Sequence, residues 1–206
     1  MQIWVAGTDT NIGKTIISSW LCLQTGSAYF KPIQTGTLED RDAARVHVLS
    51  GVKIHPEIFS YKAPLSPHVA AALENEEIDI KKIALPPEKK LIVEGAGGLL
   101  VPINKKYLMV DLMKQLNIPI MLVASSRLGT INHTLLSLEA LNHRKLEVLG
   151  VIMNGPINED NRKSIEFYGN TTVIAQMPYL DKMDRNSLKK IPLSQKLENI
   201  LMIGKR

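Results

Sequence analysis

Gly13, Lys14 and Thr15 form a Gly-Lys-Thr sequence between a short apolar run, residues 3–6, and a stretch with helical apolar spacing. A strand, a glycine-containing loop and a helix in that order are the setting of a phosphate-binding loop. In such a loop Gly13 would let backbone N–H groups face oxygen anions, Lys14 would contact the β- and γ-phosphates, and the Thr15 hydroxyl could ligate Mg²⁺. The pattern predicts nucleotide phosphate binding.

The spacing of this loop departs from the usual G-x-x-x-x-G-K-[ST] pattern. Thr8 stands where the first glycine is expected, and Gly7 precedes it by one residue. The alternative interpretation is an ordinary strand-to-helix turn that carries a surface lysine. The elements on both sides favour the phosphate loop.

A second acidic candidate, Glu94, ends the apolar run 91–93 and is followed by the small residues Gly95, Ala96 and Gly97. A carboxylate at the carboxyl end of a parallel strand beside a phosphate loop can hold Mg²⁺, and small residues let backbone approach a ligand. Alternatively, Glu94 caps a neighbouring helix and the glycines form a tight turn. A nucleotide site needs a metal-binding acid, which favours the first interpretation.

Lys31 follows another short apolar stretch, residues 28–30, and Asp40 and Asp42 add carboxylates farther on. A lysine at a strand end can stabilise negative charge that develops on transferred phosphoryl or carboxylate oxygens. The alternative is a solvated surface lysine, since most lysines lie at the surface. The residues alone leave both interpretations open.

The elements that would position these side chains alternate along the chain. Continuous apolar runs predict strands buried on both faces, at residues 3–6, 91–93, 118–124, 148–153 and 173–175. Helices are predicted at residues 15–24, 67–75, 130–142 and 187–202, the last interrupted by Pro192. This order predicts an α/β fold with a doubly wound, mostly parallel sheet flanked by helices, as a single domain over residues 1–206. Residues 31–67 are predicted to be a long functional loop or insertion.

Composition narrows the function classes. The chain has 206 residues, 45% hydrophobic and 22% charged, with 25 Lys plus Arg against 20 Asp plus Glu and a formal charge of +5. The single cysteine, Cys22, excludes a disulfide framework and a cysteine-rich zinc site. We expect a cytoplasmic protein, because the first ten residues lack the features of a signal peptide and no apolar run approaches the roughly 20 residues of a membrane span.

Three blocks of sequence together resemble the dethiobiotin synthetase family: residues 7–15 (GTDTNIGKT), 30–36 (FKPIQTG) and 93–98 (VEGAGG). Shorter similar blocks follow in the family's order and extend the resemblance to about residue 180. The resemblance implies a P-loop NTPase-like fold and a cyclo-ligase of biotin biosynthesis, with ATP as co-substrate and Mg²⁺ as cofactor. In that reaction CO₂ and 7,8-diaminononanoate form a carbamate, the carbamate takes the γ-phosphoryl group of ATP, and the second amine closes the ring. Such chemistry depends on positioning and charge neutralisation.

The resemblance also implies roles for individual residues. Lys14 and Lys31 would be catalytic. The implied magnesium ligands are Thr15, Asp42 and Glu94. The implied nucleotide-binding residues are Asn11, Ile12, Gly13, Lys14, Thr15, Ile16, Asp42, Glu94, Gly95, Ala96, Gly97, Asn154 and Gly155, with Asn154 facing the purine. The implied substrate-binding residues are Thr35, Gly129, Thr130, Ile131 and Asn132. In the family the last four come from the neighbouring subunit, so a homodimer is implied.

The chain departs from the family's pattern at two places, and two other function classes predict different sequence features. Asn11 stands where family members often carry an acid, and the segment after the base-contacting turn at residues 177–180 is short and basic. A partitioning-type switch ATPase usually carries a lysine early in the loop, where this chain has Thr8, Asp9 and Thr10. A nucleic-acid-binding protein would need a recognition motif and clustered basic residues, and the basic residues here are dispersed. We expect neither nucleic acid nor membrane as a partner.

Overall fold

The computed structural model describes residues 1–38 and 41–203. The strands are β1 (Gln2–Gly7), β2 (Ala28–Phe30), β3 (Ile33–Gln34), β4 (Ile54–His55), β5 (Phe59–Ser60), β6 (Leu91–Glu94), β7 (Ile120–Ser125), β8 (Val148–Asn154) and β9 (Val173–Met177). Within the described residues, seven of them form one sheet in the order β4-β2-β6-β1-β7-β8-β9, and all their pairings are parallel. The two short strands β3 and β5 pair separately, also in parallel.

Helices cover both faces of this sheet. They are α1 (Lys14–Thr25), α2 (Asp42–Ser50), α3 (Pro67–Leu73), α4 (Met109–Leu116), α5 (Thr130–His143), α6 (Glu159–Gly169), α7 (Arg185–Lys189) and α8 (Gln195–Ile203), with one turn of 3₁₀ helix at Ile80–Lys82. Within residues 1–38 and 41–203, no helix combines the length and the apolar character that crossing a membrane requires.

The sequence of β1 shows why the sheet is covered twice. Ile3 and Val5 pack into one apolar cluster with α1, α2, α7 and α8, whereas Trp4 and Ala6 pack into the other with α3, α4, α5 and α6. Successive side chains of a strand point to opposite faces, so a strand that is apolar at every position needs a helical layer on each side. The predicted doubly wound α/β fold is confirmed.

The prediction of a long loop over residues 31–67 was wrong. This region contains α2 and β4, and β4 is an edge strand of the main sheet, paired with β2. The apolar pattern did not predict α2, because this helix buries only one face, including Val46 and Leu49, and carries polar residues elsewhere. The pattern did not predict β4, because two residues are too few to show the alternation of apolar and polar side chains that is typical of a strand.

Other differences have equally local causes. The predicted helix over residues 187–202 is two helices, α7 and α8, with Pro192 in the connection between them. Proline removes a backbone donor and clashes with the preceding turn, so a continuous helix cannot pass through it. Helices α4 and α6 were not predicted; α6 in particular is mostly polar, and Ile165 is its buried residue.

The segment that follows β9 turns back over α1. The indole of Trp20 donates a hydrogen bond to the carbonyl of Ile191 (2.9 Å), and the side-chain amide of Gln24 donates to the same carbonyl (2.8 Å). Leu188 and Leu197 complete the apolar cluster around Trp20. Helix α7 also contacts α2, so the segment holds α1 and α2 together on one face of the sheet.

Candidate active site

A cavity of about 720 Å³ opens at the carboxyl edge of the sheet, beside the ends of β1, β2 and β6. Several predicted site residues line it: Asn11, Gly13, Lys14, Thr15, Ile16, Lys31, Thr35, Asp42, Glu94, Ala96 and Gly97. Carboxyl ends of parallel strands are the usual location of ligand sites in open α/β sheets. The structure therefore brings together residues that lie far apart in the sequence.

Gly13 and Asn154 fix the shape of the phosphate loop. Gly13 has φ +95°, a left-handed conformation that glycine adopts without steric cost, and it immediately precedes α1. The side-chain amide of Asn154 donates to the carbonyl of Ile12 (2.9 Å), and a Cβ on Gly13 would lie 2.1 Å from that amide nitrogen. The loop thus presents the N-terminus of α1, with its unpaired N–H groups, to the cavity.

Lys14 folds back along this loop. Its ammonium group donates to the carbonyl of Asp9 (2.7 Å), and its chain passes so close to Gly7 that a Cβ there would lie 2.8 Å from the Lys14 Cδ. A side chain at position 7 would therefore displace the end of Lys14 from this position. Burial lowers the pKa of Lys14 to about 8; the positive charge of Lys31 acts in the same direction and Glu94 opposes it.

The hydroxyl of Thr15 lies between two carboxylates. Its Oγ1 is 2.8 Å from Asp42 Oδ1 and 2.9 Å from Glu94 Oε1. A hydroxyl has one hydrogen to donate, so it can satisfy only one of these two acceptors at a time. One hydroxyl and two carboxylates are the donor set of a Mg²⁺ site that takes its remaining ligands from water and substrate phosphates. The residues present therefore fit this ion.

Lys31 is buried, with 5% of its surface exposed, so the interpretation as a solvated surface lysine was wrong. Its ammonium group forms an ion pair with Asp42 and lies 3.6 Å from Glu94 Oε1. Burial lowers the pKa of Lys31, but the two carboxylates outweigh it and the pKa lies above its usual value. Burial raises the pKa of Asp42, and the charge and hydrogen bond of Lys31 reverse this, leaving it below its usual value.

Not every predicted residue lies at the cavity. Among the described residues, its lining does not include Ile12, Gly95, Asn154, Gly155, Gly129, Thr130, Ile131 and Asn132. Gly129 immediately precedes α5, and the next three residues begin it. A second cavity of about 410 Å³ lies farther along that helix, between residues 133–140 and residues 98–102. Asp40, a further predicted carboxylate, lies outside the described residues.

The sequence interpretation missed several residues of this region, among them Arg45 and Tyr29. Arg45 lines the cavity and lies on α2 three residues after Asp42, so predicting the helix would have placed both on one face. Tyr29 donates from its hydroxyl to Glu94 Oε2 (3.1 Å). Within the apolar stretch 28–30 a tyrosine is indistinguishable from an ordinary core residue.

The fold and the sequence were compared with known proteins. A family model described as an AAA domain matches residues 1–187. The MinD cell division protein of Aquifex aeolicus superimposes with a TM-score of 0.56 over 98% of this chain and 96% of that protein, at 14% identity, which is a likeness of fold alone. The same arrangement of sheet and helices therefore occurs in a cell division protein, so the fold by itself does not assign a function.

Relatives that are similar in sequence specify the family. The ATP-dependent dethiobiotin synthetase of Lawsonia intracellularis is 52% identical over 203 residues, covering 98% of this chain and 100% of that protein. The enzyme of the same name from Paramagnetospirillum magneticum is 45% identical over 192 residues, covering 92% of this chain and 94% of that protein. Identity at this level over the full length shows that the chain belongs to the family of ATP-dependent dethiobiotin synthetases.

Proposed function

We propose that the chain is a ligase of biotin biosynthesis that forms dethiobiotin from 7,8-diaminononanoate, CO₂ and ATP. One amine of the diamine and CO₂ form a carbamate; a carbamate oxygen takes the γ-phosphoryl group, with ADP as leaving group. The second amine then attacks the carbonyl carbon of this mixed anhydride, and phosphate leaves as the ring closes. The observation that carries the proposal is the buried Lys31, held beside Asp42 and Glu94 at the phosphate loop.

The roles of the lysines follow from charge. The reaction gathers negative charge on the phosphates and on the carbamate, and fixed cations stabilise it. Lys14, at the N-terminus of α1, would contact the β- and γ-phosphates together with backbone N–H groups of residues 11–16. Lys31, held by Asp42 and Glu94, would contact the carbamate and the transferred phosphoryl group. Thr35, which lines the same cavity, would contact the substrate.

We propose Thr15, Asp42 and Glu94 as the ligands of Mg²⁺. When bound, the ion would neutralise phosphate oxygens and assist departure of ADP. The support is the convergence of one hydroxyl and two carboxylates within 2.9 Å.

Gly95, Ala96 and Gly97 follow Glu94 and would give the nucleotide close access to backbone. Asn154 and Gly155, at the end of β8, would lie on the purine side of the loop.

We also propose a homodimer in which the neighbouring subunit supplies Gly129, Thr130, Ile131 and Asn132 to the substrate. The support is their position at the start of α5, outside the described lining of the chain's own catalytic cavity. The N-terminus of a helix of this length would suit the carboxylate of diaminononanoate. A cytoplasmic location is proposed with it, where thiols such as the buried Cys22 remain reduced.

One reconstitution tests the function. Purified protein is supplied with ATP, Mg²⁺ and bicarbonate, with and without diaminononanoate, and both phosphate and dethiobiotin are measured. We expect equal amounts of the two products, and phosphate release that depends on the diamine. Phosphate release of the same rate without the diamine, and no dethiobiotin by mass spectrometry, would instead indicate a switch ATPase.

A further inference from the structure

Tyr29 contacts the active-site carboxylate from the side that faces away from the cavity. It lies in the middle of β2 and is fully buried. Its hydroxyl donates to Glu94 Oε2 (3.1 Å), while the other oxygen, Oε1, faces Thr15 (2.9 Å) and Lys31 (3.6 Å). The two oxygens of Glu94 thus have different partners. Oε2 accepts the hydrogen bond of the phenol, whereas Oε1 faces the groups that are proposed to bind metal and substrate.

The register of the sheet fixes this arrangement. Strands β2 and β6 are parallel, with Tyr29 opposite Ile92 and Phe30 opposite Val93. Because side chains alternate, Glu94 lies on the same face as Ile92 and hence as Tyr29. That face packs against α1, which carries Thr15. The pairing of β2 with β6 therefore places the Tyr29 phenol next to the Glu94 carboxylate on the face that packs against α1.

We propose that Tyr29 is a positioning residue that orients Glu94 so that its Oε1 faces Thr15 and the bound Mg²⁺. The terminal torsion angle of a carboxylate side chain has a broad distribution, and a hydrogen bond to one oxygen restricts the angles that the group adopts. Groups that orient a metal ligand in this way commonly contribute about 10- to 100-fold to metal affinity. This inference rests on the proposed metal site of the preceding section.

Tyr29→Phe tests the proposal because it removes the hydroxyl and retains the buried ring. Nucleotide affinity is measured by titration calorimetry with ADP, over a series of Mg²⁺ concentrations and again with the metal chelated. We expect the Mg²⁺ concentration that gives half of the metal-dependent gain in ADP affinity to rise about tenfold. ADP affinity without metal should be unchanged, since the Tyr29 hydroxyl, the only group removed, bonds Glu94 and forms no hydrogen bond with residues 7–15 within the described part of the chain.

Tyr61→Phe is the matched control. Tyr61 is also buried, and its hydroxyl donates to a carboxylate, Glu76 Oε2 (3.0 Å), that does not line the cavity in the described structure. Both variants lose one tyrosine–carboxylate hydrogen bond, so a shift in Mg²⁺ dependence that appears in both would overturn the proposal. An unchanged Mg²⁺ titration of Tyr29→Phe, or equal loss of ADP affinity with and without metal, would also overturn it. Failure of the wild-type protein to form dethiobiotin, with the Tyr29→Phe shift present, would refute the proposed reaction and leave this inference standing.

Discussion

Lys14 and Lys31 line the same cavity, yet their surroundings leave the pKa values of the two amines on opposite sides of the ordinary value. For each, burial is the largest influence and lowers the pKa. The neighbouring Glu94 and Asp42 outweigh burial for Lys31, whereas the pKa of Lys14 remains at about 8. Lys31 therefore keeps its charge throughout the neutral range, while the charge of Lys14 depends on pH.

Lys31→Met is expected to lower kcat by about 10²- to 10³-fold, as the loss of a group that stabilises developing charge does elsewhere. Methionine retains much of the buried chain's volume. Affinity for ADP with Mg²⁺ should change little, because the phosphate loop and the N-terminus of α1 remain. Steady-state kinetics and calorimetry measure the two quantities. Lys53→Met removes an exposed lysine that pairs with Glu88 and serves as control; a kcat for Lys31→Met equal to that of the control would exclude Lys31 from catalysis.

The pKa of Lys14 predicts a pH dependence of nucleotide binding. Phosphates bind the protonated amine and raise its pKa in the complex, so the affinity is fully present well below pH 8 and declines as pH rises through 8. The decline should approach tenfold per pH unit above this value, and binding at pH 8 should take up about half a proton. Calorimetry in two buffers of different ionisation enthalpy measures the uptake. Lys14→Met should bind weakly and without this proton uptake; an identical uptake would assign it to another group.

At the scale of elements, the sequence predicted the continuously apolar strands and the helices with clear apolar spacing, and it missed elements that are short or largely polar. β1, β6, β7, β8 and β9 were recognised because strands covered on both faces read as continuous apolar runs. α2 and β4 escaped because one is largely polar and the other is two residues long. Individual site residues such as Thr15 and Glu94 could be predicted from the motifs. The contact of Tyr29 with Glu94 could not be predicted, since it depends on the register between β2 and β6.

The two ends of α1 offer a comparison between two glycines of positive φ. Gly13→Ala is expected to lower ADP affinity about tenfold or more, because its Cβ would displace the Asn154 amide that holds the loop. Gly26, at the C-terminus of the helix, has φ +67° and open space where a Cβ would lie. Gly26→Ala should therefore cost about 1 kcal/mol of unfolding free energy and leave ADP affinity intact. Chemical denaturation and calorimetry separate the effects, and equal ADP affinity in both variants would contradict this account of the loop.

At the scale of the whole molecule, the proposed homodimer concerns the face of the sheet opposite to α1 and α2. Leu128, just before α5, and Leu136, on α5, are exposed, and Leu136 lines the second cavity together with His133. The positions implied for the substrate carboxylate begin the same helix. The proposed homodimer requires that assembly through this face bring the start of α5 to the catalytic cavity of a second copy.

Leu136→Glu tests the assembly. An unpaired charge buried in an interface costs about 3–5 kcal/mol, so the dimer should dissociate at concentrations at least 100-fold higher. We expect sedimentation as a monomer, loss of dethiobiotin formation, and retained binding of ADP with Mg²⁺. Val48→Glu places the same charge at a comparably exposed apolar position on α2 and should remain dimeric and active. A wild-type monomer that forms dethiobiotin would refute the dimer.

The return of the segment after β9 over α1 has a consequence for the order of biosynthesis. The helix that carries Lys14 and Thr15 is synthesised well before β6 and β7, the two strands with which the neighbouring β1 pairs. The outer face of α1 is covered by Leu188, Ile191 and Leu197, which are synthesised later still. A nascent chain that already contains the whole phosphate loop therefore carries that loop on a helix whose outer face is still partly uncovered, and the apolar cluster around that helix is complete only after residue 197 has emerged.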